Sequence, residues 1–167
     1  MARCSETIET AMASKHLVFV YGTLKRNEPN HRVMANEIRG TASFEGTARM
    51  TQRYPLIVST KFNIPFLLKD AGKGELVEGE LYTVDDAKLL ELDELENHPH
   101  FYVRHRETFD LLTDKNNDVV SGQTTAWVYQ LPTWTEALLA EGTEPLKCYS
   151  SKGSHGREYV ERWVCGS

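Results

Sequence analysis

The chain is predicted to be a single α+β domain, a curled, barrel-like β-sheet of mixed or mostly antiparallel strands with a few short flanking helices. Three observations carry that expectation. Strand-like runs with period-two or continuous apolar character recur along the sequence, whereas helical periodicity is confined to one or two short stretches. The 167 residues suffice for one core without metal or disulfide staples, while two domains would each be marginal. No internal repeat or low-complexity tract interrupts the pattern.

The elements follow in order. Residues 1–15 are polar and read as a disordered N-terminal extension, with residues 16–167 as the domain. His16–Tyr21 is an apolar, β-branched and aromatic run ended by Gly22, the pattern of a buried central strand. Thr41–Met50 alternates, placing Ala42, Phe44, Gly46, Ala48 and Met50 on one side. Leu56–Val58 and Phe66–Leu68 are short strands, each preceded by a proline at a position where no ladder donor is lost. Leu76–Val84 is a further strand, and Asp85 is the natural N-cap of a helix through about residue 96. Phe101–Leu112 and Gln123–Leu131 form a hairpin across the turn at residues 114–118. A short helix is expected over Thr135–Ala140, followed by a Gly-, Ser- and Tyr-bearing tail from Gly142.

Composition excludes several classes of function. With 19 Lys and Arg against 24 Asp and Glu, the net charge is −5, so the basic face of a nucleic-acid binder is not expected. No run of about 18 apolar residues is present, and no membrane association is expected. The first fifteen residues lack the apolar segment of a secretory signal. Three cysteines without CxxC spacing (Cys4, Cys148, Cys165) fit reduced thiols, and a cytoplasmic location is expected. Residues 66–98 hold three basic and ten acidic residues, so the remainder sums to about +2.

Candidate chemistry lies in three places. Gly22, in Tyr21-Gly22-Thr23-Leu24-Lys25, could aim successive backbone N–H groups into one concavity suited to a carboxylate or oxyanion; the same run also reads as an ordinary strand-ending turn. On the predicted helix, about 100° per residue puts Glu96 inside the apolar arc of Leu89, Leu92 and Leu95. Glu91 and Glu94 fall on the wet face and Asp93 on the flank. An inward carboxylate is raised toward the range useful for proton transfer. If the helix stops near residue 95, Glu96 instead caps it or forms an ion pair. His98, His100 and His105 cluster, but Pro99 and the lack of a partner segment argue against a metal site. Lys25, Arg26, His31 and Arg32 form a basic cluster that could attract an anion or simply be a solvated patch. No nucleophile elbow is present.

These residues resemble a known family. Tyr21-Gly22-Thr23-Leu24 is similar to the Y-G-[ST]-L loop of the γ-glutamyl cyclotransferase-like (AIG2-like) proteins, and Leu92-Asp93-Glu94-Leu95-Glu96 with Tyr102-Val103-Arg104 to their L-D-x-x-E…Y-x-R segment. Pro29-Asn30-His31-Arg32, Tyr54-Pro55-Leu56, Asn63-Ile64-Pro65 and Leu76-Val77-Glu78-Gly79-Glu80 resemble the family's γ-glutamylamine-cyclising branch. The resemblance covers residues 16–131 well, and the tail loosely.

It implies a cofactor-independent reaction on a small γ-glutamyl substrate. The substrate's own α-amine attacks its γ-carbonyl, forming 5-oxoproline and releasing an amine. In this branch the substrate is γ-glutamyl-ε-lysine, the remnant of transglutaminase crosslinks. By motif, Glu96 is the catalytic base and then acid, Tyr21, Gly22, Thr23 and Leu24 cradle the substrate, and Asn63, Ile64 and Tyr102 line the pocket. A cis peptide is expected within Asn63-Ile64-Pro65. Many relatives carry glycine directly after the catalytic glutamate, where this chain has Asn97, a residue that tolerates left-handed torsions. The alternatives are the same chemistry on γ-glutamyl amino acids or glutathione, and a non-catalytic metabolite-binding module of the same fold. A protein partner is not legible.

Overall fold

The computed structural model describes residues 15–161; the expectations for residues 1–14 and 162–167, Cys4 and Cys165 among them, lie outside the described residues. Five strands close a barrel in the order β1 (His16–Val20), β5 (Glu78–Val84), β2 (Ala42–Met50), β6 (Val103–Asp114) and β7 (Gln123–Gln130). All neighbours are antiparallel except the closing pair, where β1 meets β7 in parallel with Val18 opposite Trp127. A separate hairpin, β3 (Leu56–Ser59) and β4 (Ile64–Leu67), docks on the end of β7 through bonds between Leu67, Lys69 and Leu131. Among the described residues, three short helices flank the barrel: α1 (His31–Ala35), α2 (Asp86–Leu95) and α3 (Glu136–Ala140). The curled α+β single domain expected from the sequence is the fold observed.

Strand alternation divides the apolar side chains into two cores. Phe19, Ala48, Met50, Leu81, Phe109, Ala126 and Val128 fill the barrel, with Phe19 and Phe109 stacked at 4.4 Å. Val18, Val20, Tyr82, Val84 and Tyr129 face outward and are covered by Leu89 and Leu92 of α2. Burying each such side chain contributes about 1.5–3 kcal/mol, so α2 is held mainly by these contacts rather than by its own propensity.

Strand β2 corrects the sequence expectation. A bulge at Glu45 shifts the register, so Phe44 opposes Tyr82 while Gly46 opposes Leu81. Adjacent residues on β5 point to opposite faces. Ala42 and Phe44 therefore pack in the outer core, and Ala48 and Met50 in the inner one. Gly46 makes this possible at φ 141°, where a Cβ would stand 2.0 Å from the Thr113 carbonyl oxygen. Pro65 also lies inside β4, opposite Val58, rather than ahead of it. Leu95, expected on the buried face of α2, is about half exposed, because the helix presents only Lys88, Leu89 and Leu92 to the core.

Asp85 caps α2 as expected, accepting hydrogen bonds from the Lys88 amide at 2.9 Å and from the Thr41 amide and hydroxyl at 3.0 and 3.1 Å. Burial alone would raise its pKa, but these donors outweigh that effect and hold the carboxyl below its ordinary value. Among the described residues, no helix is long and apolar enough to cross a membrane.

Because the native carboxyl titrates below the unfolded one, its contribution to stability is present above the unfolded pKa and lost as pH falls through the native pKa. Asp85→Ala is expected to cost about 1–2 kcal/mol near pH 7 in urea unfolding. The gap to wild type should shrink below about pH 4.

Candidate active site

The chain leaves β1 at Val20 and enters the Tyr21–Leu24 loop, which is held on both flanks. Lys25 donates to the Gly22 carbonyl at 3.2 Å through its amide, and its buried ammonium donates to the Tyr149 carbonyl at 2.5 Å. Arg26 binds Glu80 through its amide at 2.9 Å and through Nε at 3.1 Å. The basic cluster read from the sequence is therefore not an open anion attractor: Lys25 and Arg26 serve as struts, and the Arg32 guanidinium reaches the Pro29 carbonyl and Glu161. Among the described residues, the N–H groups of Gly22, Thr23 and Leu24 donate to no main-chain carbonyl.

Gly22 is required here for a reason other than the expected torsional freedom. Its φ is not left-handed. A Cβ at Gly22 would instead stand 2.9 Å from Pro65 Cγ, so glycine permits the β3–β4 hairpin to close on the loop. The Tyr102 hydroxyl donates to the Pro65 carbonyl at 3.4 Å, which joins the segment after α2 to the same place.

Helix α2 ends one residue before Glu96, which is its C-cap. The Asn97 amide bonds the Glu94 carbonyl at 3.1 Å and the His98 amide bonds the Asp93 carbonyl at 2.8 Å, with Asn97 at φ 52°. This is a Schellman closure, in which the residue after the cap must be left-handed. Asn97 supplies that torsion. The bond from the Tyr102 amide to the Glu96 carbonyl, 3.3 Å, then turns the chain into β6. The cis proline bond occurs here, at His98–Pro99, and not at Ile64–Pro65 as expected.

Glu96 is half-buried, and its charge reaches two tyrosines. Tyr21 is pushed well above its ordinary pKa, first by burial and then by Glu96, with the Leu67 amide acting in the opposite sense. Its hydroxyl donates to the Tyr129 carbonyl at 2.7 Å. Tyr129 is likewise raised, first by burial, then by its hydrogen bond to Asp93, by the Asp93 charge and by Glu96. Both phenols stay neutral across the physiological range.

Sequence reasoning did not identify the group that orients this end of α2. Arg104 and Tyr129 oppose each other on β6 and β7, and both reach the Asp93 carboxylate. Arg104 donates through Nε at 2.8 Å and Nη2 at 3.3 Å, and the Tyr129 hydroxyl donates at 2.6 Å. The helical wheel placed Asp93 on the flank, the right position for reaching sideways to the barrel wall, but a wheel carries no information about the strand below.

Other sequence candidates lie elsewhere. The Asn63 amide is engaged by the tail: its oxygen accepts from Arg157 Nε at 3.0 Å, and its nitrogen donates to the Glu158 carbonyl at 2.8 Å. Ile64, next to it, packs partly buried against the outer core. His98 accepts the Arg104 amide at 3.3 Å, while His105 is held below its ordinary pKa first by burial and then by Lys69. Among the described residues, no three His, Cys, Asp or Glu side chains are grouped to hold a metal ion.

The left-handed turn behind Glu96 gives a direct test. Asn97→Gly is expected to leave stability within about 1 kcal/mol of wild type, because glycine adopts the same torsion without cost. Asn97→Val is expected to lose about 1–2 kcal/mol in urea unfolding, because a β-branched side chain resists φ near +50°.

Comparison with known proteins shows the family. Residues 18–150 match the family described as γ-glutamyl cyclotransferase, AIG2-like. The chain is 38% identical over 154 residues to the γ-glutamylaminecyclotransferase of Homo sapiens, covering 87% of this chain and 97% of that one. It is 38% identical over 149 residues to γ-glutamylaminecyclotransferase C of Danio rerio, covering 89% and 95%. A crystal structure of an AIG2-like protein from Mus musculus superposes with a TM-score of 0.80 at 36% identity, covering 89% of this chain and 97% of that one. With residues 18–150 matched by the family and the fold in common, the chain belongs to the γ-glutamyl cyclotransferase, AIG2-like, family of enzymes.

Proposed function

We propose that this protein is a γ-glutamylamine cyclotransferase that converts γ-glutamyl-ε-lysine to 5-oxoproline and free lysine, with Glu96 as general base and then acid. The observation that carries the reading is that the Glu96 charge acts on Tyr21, the first residue of a loop in which, among the described residues, the N–H groups of Gly22, Thr23 and Leu24 donate to no main-chain carbonyl. The names of the Homo sapiens and Danio rerio relatives favour γ-glutamylamines as the substrate class.

An α-ammonium is not a nucleophile until it loses a proton, and the Glu96 carboxylate accepts it. The freed amine attacks the γ-carbonyl carbon, a C–N bond forms, and the five-membered ring closes through a tetrahedral oxyanion. The N–H groups of the Gly22–Leu24 segment are suited to stabilising that oxygen. The bond to the ε-nitrogen then breaks as Glu96 returns a proton to it. In the whole reaction the α-nitrogen gives up two protons and the departing ε-nitrogen gains two, so no cofactor or external acid is consumed. Nucleophile and electrophile belong to one molecule, so holding the γ-glutamyl chain folded supplies much of the rate. Neutral Tyr21 and Tyr129 suit this role, because ionised phenols beside Glu96 would repel its charge.

The purified protein incubated with γ-glutamyl-ε-lysine should release 5-oxoproline and lysine in equal amounts. Glu96→Gln should lower kcat by about 10²–10⁴-fold with little change in thermal midpoint. Absence of product from the wild type, or full activity in the variant, would overturn the assignment. γ-Glutamyl-alanine and glutathione at matched concentrations test the leaving amine: a preference for either would move the protein to the neighbouring activities.

A further inference from the structure

The tail is the part of the molecule that the proposed reaction does not use, yet it is bound at two points that both lead to the loop. Arg157 meets four acceptors. Nε donates to Asn63 Oδ1 at 3.0 Å, Nη2 to the Thr60 carbonyl at 2.8 Å, and Nη1 to the carbonyls of Val58 at 3.1 Å and of Glu141. The Asn63 side-chain nitrogen returns a bond to the Glu158 carbonyl at 2.8 Å, and the Val160 amide reaches the Phe62 carbonyl at 2.9 Å. Residues 157–160 thus run along the 60–63 turn as a strap.

That turn needs support. Thr60 and Asn63 sit at φ 66° and 55°, left-handed torsions that cost free energy in residues other than glycine, especially in a β-branched one. The turn leads directly into Pro65, the residue whose ring closes on Gly22. Releasing the turn would let that ring withdraw from the loop.

The second point is Tyr159. The two hydrogens of the Asn30 amide go to Thr23 Oγ1 at 3.0 Å and to the Tyr159 hydroxyl at 3.3 Å, while the Asn30 main-chain amide donates to the Thr23 carbonyl at 2.9 Å. Asn30 therefore grips Thr23 twice and is itself steadied by the tail. The Tyr159 amide is in turn fixed on Ser151 Oγ at 2.9 Å.

We propose that Arg157 and Tyr159 are positioning residues for the substrate loop: Tyr159 sets Thr23 through Asn30, and Arg157 sets Gly22 through the 60–63 turn and Pro65. The inference rests on the reading of Tyr21–Leu24 as the substrate cradle. Neither side chain touches the reacting atoms, so loosening either one weakens substrate binding more than the chemical step.

The test uses the full chain with Tyr159→Phe and Arg157→Met, read in two ways. Amide NMR follows Thr23 and Leu24 during titration with 5-oxoproline, and steady-state kinetics follow turnover of γ-glutamyl-ε-lysine. Tyr159→Phe removes one hydroxyl and should fold normally, so the test survives if Arg157→Met does not. Tyr159→Phe is expected to shift the Thr23 amide in the absence of ligand, and to raise KM and the 5-oxoproline Kd about fivefold, the equivalent of one hydrogen bond of about 1 kcal/mol. Its kcat should stay within about twofold of wild type. Unchanged Thr23 and Leu24 resonances, or shifted resonances with unchanged KM and Kd, would overturn the inference. A kcat loss at constant KM would overturn it too. If the wild type binds 5-oxoproline but turns nothing over, the cyclotransferase reading fails while the Kd comparison still decides the role of the strap. If it neither binds nor turns over, the loop is not the cradle and both fall.

Discussion

The carboxylate of Asp93 is the contact on which the arrangement of the site depends. Helix α2 lies on the outside of the barrel, and only Leu89 and Leu92 anchor it by apolar contact at full burial. Such contacts fix the distance between helix and sheet but leave the helix free to roll. At its C-terminal end Asp93 removes that freedom by accepting from an opposed pair on two strands, Arg104 and Tyr129, as Asp85 does at the other end by accepting from Thr41. A planar guanidinium and a phenol meeting one carboxylate define a direction as well as a separation. Three residues on, Glu96 inherits that direction, and the Asp93 carbonyl also closes the helix by accepting the His98 amide. One residue thus fixes both the roll of α2 and the point at which it stops.

The Tyr21–Leu24 loop is fixed by a different logic. Its flanks are bound by charged side chains turned inward, Lys25 to a carbonyl and Arg26 to Glu80. Its middle is covered by a proline ring that only a glycine admits. The flanks are committed, while among the described residues the central N–H groups donate to no main-chain carbonyl. A binding cradle needs that division, because donors already satisfied within the fold would have nothing to offer a ligand.

Much of this was legible in the sequence, and the failures have physical causes. The buried run ending at Gly22, the Asp85 cap and the left-handed tolerance of Asn97 are local properties, encoded by residue type and spacing within a few positions. The reversal of Phe44 relative to Ala48 was not legible, because a bulge is set by the partner strand and alternation assumes none. The cluster of Lys25 and Arg26 read as either an anion attractor or a solvated patch because a charge count cannot see Tyr149 or Glu80, more than fifty residues away. The hold of Arg157 on Asn63 was not legible either, because it is a contact across 94 residues. Asp93 stood in a recognisable motif, but its partners come from two strands that a helical wheel does not contain.

The closing seam of the barrel has a consequence for the order in which the molecule can be assembled. β1 is the first strand of the described residues, yet one of its edges is completed only by β7, where Val18 meets Trp127. Tyr21, the first residue of the loop, donates its hydroxyl proton to the carbonyl of Tyr129, 108 positions later. Contacts of such sequence separation carry a large loop-closure cost and form late in folding. A ribosome that has added the first hundred residues has incorporated Glu96 and the glycine loop, but not β7, the strand that closes onto β1. The bond from Tyr21 to Tyr129 therefore comes into being only as the barrel shuts, and an unfinished chain lacks it.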